Sequence, residues 1–505
     1  MSDPLRQPAD APPELPDSEG CYRALQARDA RFDGHFFTAV TSTGVYCRPV
    51  CKVRTPRQAN CRFFALAAQA EAAGFRPCLR CRPELAPASS AGRVWSTQDA
   101  SGILAAQAAQ WLSRPVYNDP APSMAAVAAR LGVSERHLRR IFHTALGVSP
   151  LHFQRTHQLL CAKQLLTDTA LPMADVAHLS GFASVRTFNA ALQAHYRLTP
   201  GQVRASGGPP AATALSLRLY YRPPYDVAQV LAFLAQRAIP GMEVVDAAQR
   251  SVQRTLRLVH GTTVVTGWLT CRFDANVPCV HVRLAPQLAQ CLPQVLGRVR
   301  AWLDLDADPQ AIATALAPTW ADAAGVRIPG AVDGFELAVR AVLGQQITVA
   351  AAHTLAQRLV AACGEPLSSP HVGLTRLFPA PTQLLATPDD ALGALGIVRQ
   401  RQKALRALAQ ACADGDLQLH PGAPVPATLA DLQALPGIGP WTANYIAMRA
   451  LCWPDAFVAT DVSLHKALGL RQHPQAAEVA EAIAEHWRPW RSYGVVCAWQ
   501  SISNS

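Results

Sequence analysis

The chain has 505 residues, of which half are hydrophobic and 16% are charged, and it carries a formal net charge of +11. Because single hydrophobic cores stop growing near ~250–300 residues, this length argues against one domain and predicts several. The basic balance favours a polyanionic partner. No apolar run reaches the ~20 residues that a bilayer crossing needs, which argues against a membrane protein.

The N-terminal residues 1–18 are rich in Pro, Asp and Ala, and we expect them to be disordered. Their acidic, proline-bearing start differs from a signal peptide, so we expect a cytoplasmic protein. The 14 cysteines would stay reduced in that compartment. Closely spaced cysteines therefore indicate metal binding or reactivity before disulfides.

Residues 19–86 are predicted to form a small α+β domain that holds one zinc ion. Two close cysteine pairs stand in this segment, Cys47 with Cys51 and Cys78 with Cys81. Four thiolates from two such pairs can converge as the tetrahedral ligands of a structural zinc site. The alternative is a set of four unrelated buried cysteines.

The runs 43–51 (TGVYCRPVC) and 72–78 (AAGFRPC) resemble the N-terminal domain of the Ada-type methylphosphotriester repair proteins. The resemblance implies that Cys47 accepts a methyl group from DNA in a single-use reaction. A zinc-bound thiolate stays deprotonated at neutral pH and remains nucleophilic, as attack on a methyl carbon requires. Methylation removes a negative charge, so we expect nearby basic residues to bind DNA more tightly afterwards: Arg48, Lys52, Arg54 and Arg57. A purely structural zinc unit is the alternative.

An internal repeat follows in the predicted all-α domain 96–205, after a linker at 86–95. The segment that begins at Met124 (MAAVA) returns at Met173 (MADVA). Each copy predicts a short helix, a glycine turn and a second helix opened by a capping serine, Ser134 or Ser184. This is the helix-turn-helix pattern.

Two such motifs joined by a long helix at 151–166 resemble the AraC family of transcription factors. The resemblance implies binding to promoter DNA, activation of transcription and RNA polymerase as a further partner. Polar side chains on the second helices can reach base edges and phosphates in a major groove. The candidates are Arg136, Arg139, Arg140, Arg186 and Asn189. Ordinary helical hairpins are the alternative.

Residues 205–213 (ASGGPPAAT) predict a flexible break. From 214 to 307, alternating strand-like runs mix with helices and predict an α+β subdomain. Helical periodicity dominates from 308 to 505 and predicts an all-α domain. We therefore expect a multidomain, mainly α protein.

The stretch 435–445 (LPGIGPWTANY) predicts a helix, a tight hairpin and a second helix. Gly437 and Gly439 leave room for the backbone N–H groups around Ile438 to approach an anion. A following helix N-terminus adds its positive dipole end, an arrangement that suits a DNA phosphate. An ordinary turn between two helices is the alternative.

This hairpin, followed by one acid in an apolar run (FVATDV, with Asp461), resembles the helix-hairpin-helix DNA glycosylases of the DNA-3-methyladenine glycosylase II group. The runs 334–346 (GFELAVRAVLGQQ) and 490–493 (WRSY) extend the resemblance over about 214–505. It implies that the damaged nucleotide is flipped out of the duplex. Gln345 and Gln346 would lie on the loop that enters the duplex, where some members carry an aliphatic wedge in place of Gln346. An aromatic base pocket is implied by Phe233, Trp441, Tyr445 and Trp499, whose ring faces attract cationic alkylated purines.

Asp461 is the candidate catalytic residue of that pocket. A carboxylate in an apolar wall stabilises the oxocarbenium-like state of glycosidic cleavage and can orient or deprotonate water. A helix-capping aspartate is the alternative. Bifunctional relatives carry a lysine where this chain has Trp441, so we expect monofunctional hydrolysis. Cys452 and Cys497 stand alone, without the four-cysteine run of an iron–sulfur cluster.

Together these patterns predict a monomeric DNA alkylation repair and response protein that binds double-stranded DNA, both alkylated sites and promoters, and no membrane. The competing hypothesis is an alkylation-responsive transcriptional regulator whose glycosylase portion binds DNA without catalysis.

Overall fold

The structure is a computed structural model, and it describes residues 17–88, 100–113, 123–206, 215–260 and 263–503. Most of the segment expected to be disordered, 1–16, lies outside these ranges, as do parts of the two expected linkers. The expectation is wrong for its last two residues. Asp17 accepts a hydrogen bond from the Gly20 N–H and thereby caps a helix that begins at Ser18, because a short acidic side chain satisfies a first-turn amide.

The described residues divide into two compact units. One comprises the chain up to residue 223 with the short segments 259–263 and 289–297, and the other comprises 224–258, 264–288 and 298 onward. The mainly α, multidomain organisation expected from the sequence is confirmed. None of the described helices combines the length and the hydrophobicity needed to span a bilayer.

The elements up to residue 223 begin with a small sheet and continue as helices. They are α1 (Ser18–Ala27), β1 (Phe37–Val40), β2 (Val45–Cys47), β3 (Cys61–Phe64), α2 (Ala67–Ala72), β4 (Arg76–Pro77), α3 (Ala100–Leu112), α4 (Met124–Arg130), α5 (Glu135–Leu146), α6 (Pro150–Asp168), α7 (Met173–Leu179), α8 (Val185–Tyr196), α9 (Pro200–Ala205) and β5 (Leu215–Tyr220).

The first sheet has the strand order β3-β1-β2-β4. Strands β1 and β2 are antiparallel, with Thr38 opposite Cys47. Strands β2 and β4 are parallel, with Tyr46 opposite Pro77. Because parallel neighbours end at the same edge of a sheet, the residues that follow β2 and β4 meet there.

The repeated helices that follow have the predicted form. Ser134 accepts a hydrogen bond from the His137 N–H and opens α5, and Ser184 does the same for Thr187 at the start of α8. Helix α6 joins the two motifs and is longer than expected, since Ser149 caps it before Pro150 and it runs to Asp168. Its apolar side chains, such as Leu159 and Leu165, are buried.

From residue 224 the chain forms a sheet and then a helical assembly. The elements are α10 (Val227–Ala235), β6 (Glu243–Asp246), β7 (Ser251–His260), β8 (Thr263–Phe273), β9 (Cys279–Leu284), α11 (Leu292–Trp302), α12 (Pro309–Leu316), α13 (Gly334–Leu343), α14 (Val349–Cys363), α15 (Pro381–Ala386), α16 (Asp389–Ala394), α17 (Arg399–Ala413), α18 (Val425–Ala434), α19 (Pro440–Ala450), α20 (Val462–Ala467), α21 (Ala476–Ala484) and α22 (Arg491–Ser503).

Strands β9, β8, β7 and β6 lie side by side in that order. A buried ion network ties this sheet to α13: Arg254 contacts Glu243 at 3.1 Å and Glu336 at 2.6 Å, and Arg340 contacts the same two carboxylates at 2.8 and 2.7 Å. Two cations and two anions in one cluster offset each other's loss of hydration. The network fixes α13, the helix that leads into the loop of Gln345 and Gln346, which we call the glutamine loop.

The helices from α12 to α22 share one hydrophobic core. Helix α19 lies near its centre, with Ile446, Ala447 and Met448 fully buried. This packing holds the start of α19, and the turn before it, in a fixed position.

Candidate functional site

The four cysteines of the predicted zinc site lie together. The Cys78 N–H donates to the carbonyl of Tyr46 at 2.9 Å, which places the ends of β2 and β4 side by side. A turn in which the Cys51 N–H donates to the Arg48 carbonyl at 3.1 Å brings the second cysteine of the first pair to the same place.

All four Sγ atoms, of Cys47, Cys51, Cys78 and Cys81, lie within 4.8 Å of one another. Tetrahedral zinc with Zn–S bonds of about 2.3 Å needs sulfurs about 3.8 Å apart, so this donor set fits the ion. The expected four-cysteine zinc site is confirmed.

Arg48 does not belong to the surface that we expected to bind DNA. Its side chain is 3% exposed and forms an ion pair with Asp33, and its backbone N–H donates to the Cys81 Sγ at 3.3 Å. The expectation that Arg48 is available to DNA is therefore wrong, because its guanidinium binds Asp33 within the zinc module, the part of the chain from 19 to 86. Lys52, Arg54 and Arg57 are exposed, as a DNA contact requires.

The candidate base-reading side chains of the two helix-turn-helix motifs all lie on the exposed faces of α5 and α8. These are Arg136, Arg139, Arg140, Arg186 and Asn189. The opposite faces are buried through Leu138 and Phe142 in α5 and through Phe188 in α8. Arg139 forms a surface ion pair with Glu135 at 2.8 Å, which is weak enough to be exchanged for a phosphate.

The glycine hairpin, residues 435–439 between α18 and α19, has the form predicted. Gly437 has φ +79°, which favours glycine, and an added Cβ there would lie 3.2 Å from the Ala404 Cβ. Among the described residues, neither the Gly437 N–H nor the Gly439 N–H donates a hydrogen bond. Two backbone donors beside a helix N-terminus form an anion site.

The four candidate pocket aromatics, which we call the aromatic wall, are partly exposed and belong to α10, α19 and α22. The Trp441 and Tyr445 rings stack with centroids 5.2 Å apart and an interplanar angle of 9°. The Trp499 ring lies 6.1 Å from that of Tyr445. Phe233 joins them through Arg449, whose guanidinium carbon is 4.9 Å from the Phe233 ring and 5.4 Å from the Tyr445 ring.

Asp461 is 9% exposed and directed at this wall. Its Oδ2 accepts a hydrogen bond from the Trp441 Nε1–H at 3.1 Å, and its Oδ1 accepts one from the Trp499 Nε1–H at 3.0 Å. Oδ1 also accepts the Leu464 N–H at 2.8 Å, so Asp461 does cap a helix, α20. The capping role and the pocket position coexist in one carboxylate.

The glutamine loop after α13 separates the two glutamines. Gln345 turns towards the glycine hairpin, and its Nε2 donates to the Gly437 carbonyl at 2.8 Å and to the Thr442 hydroxyl at 3.1 Å. Gln346 is exposed and has φ +54°, an uncommon conformation for a residue with a side chain. Gln346 is therefore the residue of the pair that projects into solvent.

Two arginines beside the aromatic wall were not anticipated from the sequence. Arg449 donates to the Tyr445 hydroxyl at 2.6 Å, and the Arg237 guanidinium lies 3.7 Å from the Phe233 ring centre. Burial alone would raise the pKa of Tyr445, but the charges of Arg449 and Arg237 outweigh it and lower the pKa below its ordinary value. Arg449 follows Tyr445 by four residues on α19, a spacing that could have revealed this pair. Arg237 lies two residues beyond the end of α10, so helical spacing does not predict its contact with Phe233.

Four family models match the chain in succession. They are the metal binding domain of Ada over residues 20–84, a helix-turn-helix domain over 127–206, the AlkA N-terminal domain over 216–333, and the HhH-GPD superfamily base excision DNA repair protein over 339–490. The order is the one that the sequence resemblances gave.

A relative from Mycobacterium tuberculosis, the "probable bifunctional transcriptional activator/DNA repair enzyme AlkA", is 41% identical over 97% of this chain and 97% of its own length. The chain belongs to this bifunctional AlkA family. The DNA-3-methyladenine glycosylase 2 of Escherichia coli is 35% identical over 56% of this chain and 95% of its own length. A solved 3-methyladenine DNA-glycosylase from Archaeoglobus fulgidus is 17% identical, covers 56% of this chain and 97% of its own, and gives a TM-score of 0.46.

Proposed function

We propose that this bifunctional AlkA family member repairs alkylated DNA by hydrolysing the N-glycosidic bond of 3-methyladenine-type bases, and that it also senses alkylation through Cys47 and activates transcription through its AraC-type motifs. The observation that carries the enzyme assignment is the Asp461 carboxylate, held by the indole N–H groups of Trp441 and Trp499 within the aromatic wall.

The wall and the acid have complementary tasks. Alkylated purines that carry a positive charge are attracted to electron-rich ring faces by ~0.5–2 kcal/mol. Cleavage of the glycosidic bond develops positive charge on the sugar, and a fixed carboxylate stabilises that charge without reorganising. The same oxygen atoms can orient or deprotonate the attacking water.

The surrounding elements supply the grip on the duplex. The N–H groups of Gly437 and Gly439, which make no hydrogen bond within the described part of the chain, suit one phosphate. The exposed Gln346 suits the space left by the flipped nucleotide. The hydrogen bond from Gln345 to the Gly437 carbonyl holds the loop that carries Gln346 against the glycine hairpin. Trp441 occupies the position of the lyase lysine in bifunctional relatives, so we propose hydrolysis without strand cleavage.

The sensor assignment depends on the zinc module. Zinc, when bound by the four thiolates, keeps Cys47 deprotonated and nucleophilic. Cys47 Sγ would form a bond to the methyl carbon while the phosphate oxygen leaves with the bonding pair, which restores an anionic phosphodiester. Loss of one thiolate charge would then let Lys52, Arg54 and Arg57 hold DNA more tightly.

The deciding experiment compares Asp461→Asn with Asp308→Asn. Both aspartates are 9% exposed and cap a helix, α20 or α12, and asparagine caps equally well. Release of 3-methyladenine from alkylated duplex DNA should fall at least about 100-fold in Asp461→Asn and stay near wild type in Asp308→Asn, with duplex binding kept in both.

Two results would contradict the enzyme assignment. They are the absence of base release by the wild type and undiminished release by Asp461→Asn. Either would favour the second candidate, a regulator whose glycosylase portion only binds DNA. We further propose that the protein acts as a monomer in the cytoplasm and contacts RNA polymerase at promoters.

A further inference from the structure

The β8–β9 hairpin brings together three side chains that the repair chemistry does not use. Asp274 follows β8, Cys279 begins β9, and His281 stands two residues later. Phe273 pairs with Val280 across the strands, and the Asp274 N–H donates to the Cys279 carbonyl at 2.9 Å. Asp274 is thus directly opposite Cys279, and Cys279 and His281 share one face of β9 because side chains alternate along a strand.

One ligand atom from each of the three residues lies within 4.8 Å of the other two. The His281 Nε2 is 2.8 Å from the Asp274 Oδ2 and 3.9 Å from the Cys279 Sγ. The other carboxylate oxygen, Oδ1, accepts the N–H groups of Asn276 and Val277 at 2.9 and 3.0 Å. The loop therefore fixes the carboxylate so that Oδ2 points at the imidazole, as outer hydrogen bonds orient metal-ligating carboxylates.

We propose that Asp274, Cys279 and His281 form a second metal site, for zinc or a divalent ion with similar ligand preferences. Sulfur, imidazole nitrogen and carboxylate oxygen are the three donor types that zinc takes from proteins. The Asp274 and His281 side chains are 28% and 23% exposed, which leaves an entry path and room for water as a fourth ligand. Cys279 is 2% exposed and closes the inner side.

Binding of a divalent ion to these three residues would balance in charge and in protons. The Cys279 thiol would release its proton to water, and His281 would carry its proton on Nδ1 so that the Nε2 lone pair faces the ion. A thiolate and a carboxylate then neutralise a divalent cation. The ion would take the place of the hydrogen bond between His281 and Asp274 and would close the hairpin at its loop.

The test is the zinc content of the full chain after equilibration with zinc and removal of the excess, measured by mass spectrometry of the metal. We expect one more zinc ion per chain in the wild type than in Cys279→Ser or His281→Ala. Cys412→Ser, which removes a half-buried thiol of α17, should retain the wild-type content. The partly exposed His281 keeps the test valid if the buried Cys279 variant fails to fold.

A wild-type content equal to that of the Cys279→Ser and His281→Ala variants would overturn the proposal. The proposal would also be overturned if both variants kept a zinc ion beyond the one held by the four cysteines, since that ion would then be bound outside the β8–β9 hairpin. Cobalt in place of zinc gives an independent readout, because thiolate-to-cobalt absorption should weaken in Cys279→Ser and not in Cys412→Ser.

Discussion

Asp461 shows how one residue can satisfy a structural and a chemical demand together. A helix cap needs one oxygen with one lone pair, and Oδ1 supplies it to the Leu464 N–H. A carboxylate has lone pairs to spare, and the remaining ones accept the indole N–H groups of Trp441 and Trp499. The cap fixes the backbone, and the indoles fix the carboxylate plane, so the acid is held before substrate arrives.

Replacing Trp499 with phenylalanine should test this orientation, because an aromatic ring remains, although a smaller one, and the indole N–H is lost. A hydrogen bond to a charged group contributes about 1.5 kcal/mol or more, so the rate of base release should fall about tenfold. Single-turnover excision measures the effect. Trp490→Phe is the matched control, since Trp490 packs edge-on against Tyr493, 5.8 Å away. Equal rates for both variants would remove the orienting role.

At the residue scale, the spacing of two cysteine pairs predicted the zinc ligands. The resemblance to the DNA glycosylases, and no local spacing, predicted that Asp461 lies beside the aromatic wall. The sequence did not predict the fate of individual arginines. Arg48 stands inside a motif and pairs with Asp33, and Arg449 stands outside any motif and reaches Tyr445. Arginine side chains are long, so their partners depend on tertiary packing.

At the element scale, the glycine hairpin combines a turn that requires a positive φ with an open surface, and its two glycines have different roles. Gly437→Ala should lower stability by about 1 kcal/mol, because a side chain at its positive φ is strained. Gly439→Ala should leave stability nearly unchanged, since its φ is −90° and, apart from its chain neighbours, no atom of the described residues lies within 4 Å of the added Cβ. Thermal unfolding separates the two variants.

Both variants should bind alkylated duplex more weakly if the hairpin faces a phosphate, since a methyl group there would keep the backbone N–H groups away from it. Titration of a fluorescent duplex measures this. Unchanged affinity in Gly439→Ala would place the phosphate contact elsewhere.

The existence of the hairpin was predictable from proline and glycine in the sequence. The hydrogen bond that holds it to Gln345 joins residues that are far apart in the chain, so no local pattern could predict it.

A buried carboxylate joins the zinc module to the helix-turn-helix helices. Glu71 on α2 accepts hydrogen bonds from Tyr46 at 2.9 Å, from Thr156 on α6 at 2.8 Å and from Tyr196 on α8 at 3.3 Å. Burial raises the pKa of Glu71 from 4.5 to about 7, although the three hydroxyl donors oppose the shift. Folding therefore extends the pH range in which Glu71 is mostly neutral from about 4.5 up to about 7.

This shift gives a pH dependence whose sign is fixed. The folded state holds the Glu71 proton more tightly than the unfolded state, so the contribution to stability is complete below pH 4.5 and is lost as the pH rises through about 7. The loss amounts to about 3 kcal/mol. Urea unfolding at a series of pH values, monitored through the release of zinc, should show this loss of stability. Glu71→Gln should flatten the pH dependence, whereas Glu19→Gln, at an exposed position, should leave it as in the wild type.

At the scale of the whole molecule, the two activities occupy different compact units. The zinc cysteines belong to the unit that comprises the chain up to residue 223 with 259–263 and 289–297, and Asp461 with the aromatic wall belongs to the other unit. Stripping zinc with a strong chelator should abolish methyl transfer to Cys47 and change base release by no more than about twofold, because separate sites act independently. Mass spectrometry of the Cys47 peptide and the excision assay measure the two outcomes. A parallel loss of both would mean that they are coupled.

The stacked pair in the aromatic wall limits how a lesion can be gripped. With their centroids already 5.2 Å apart, the Trp441 and Tyr445 rings leave no slot for a third ring between them. An everted nucleobase that binds at this wall would therefore stack against an outer face of the pair and not between the two rings. Since this pair encloses a base from one face at most, it places few limits on the size or the far-edge substituents of that base. Such a geometry suits an enzyme that removes bases of several shapes and depends on their weakened bonds to the sugar for discrimination.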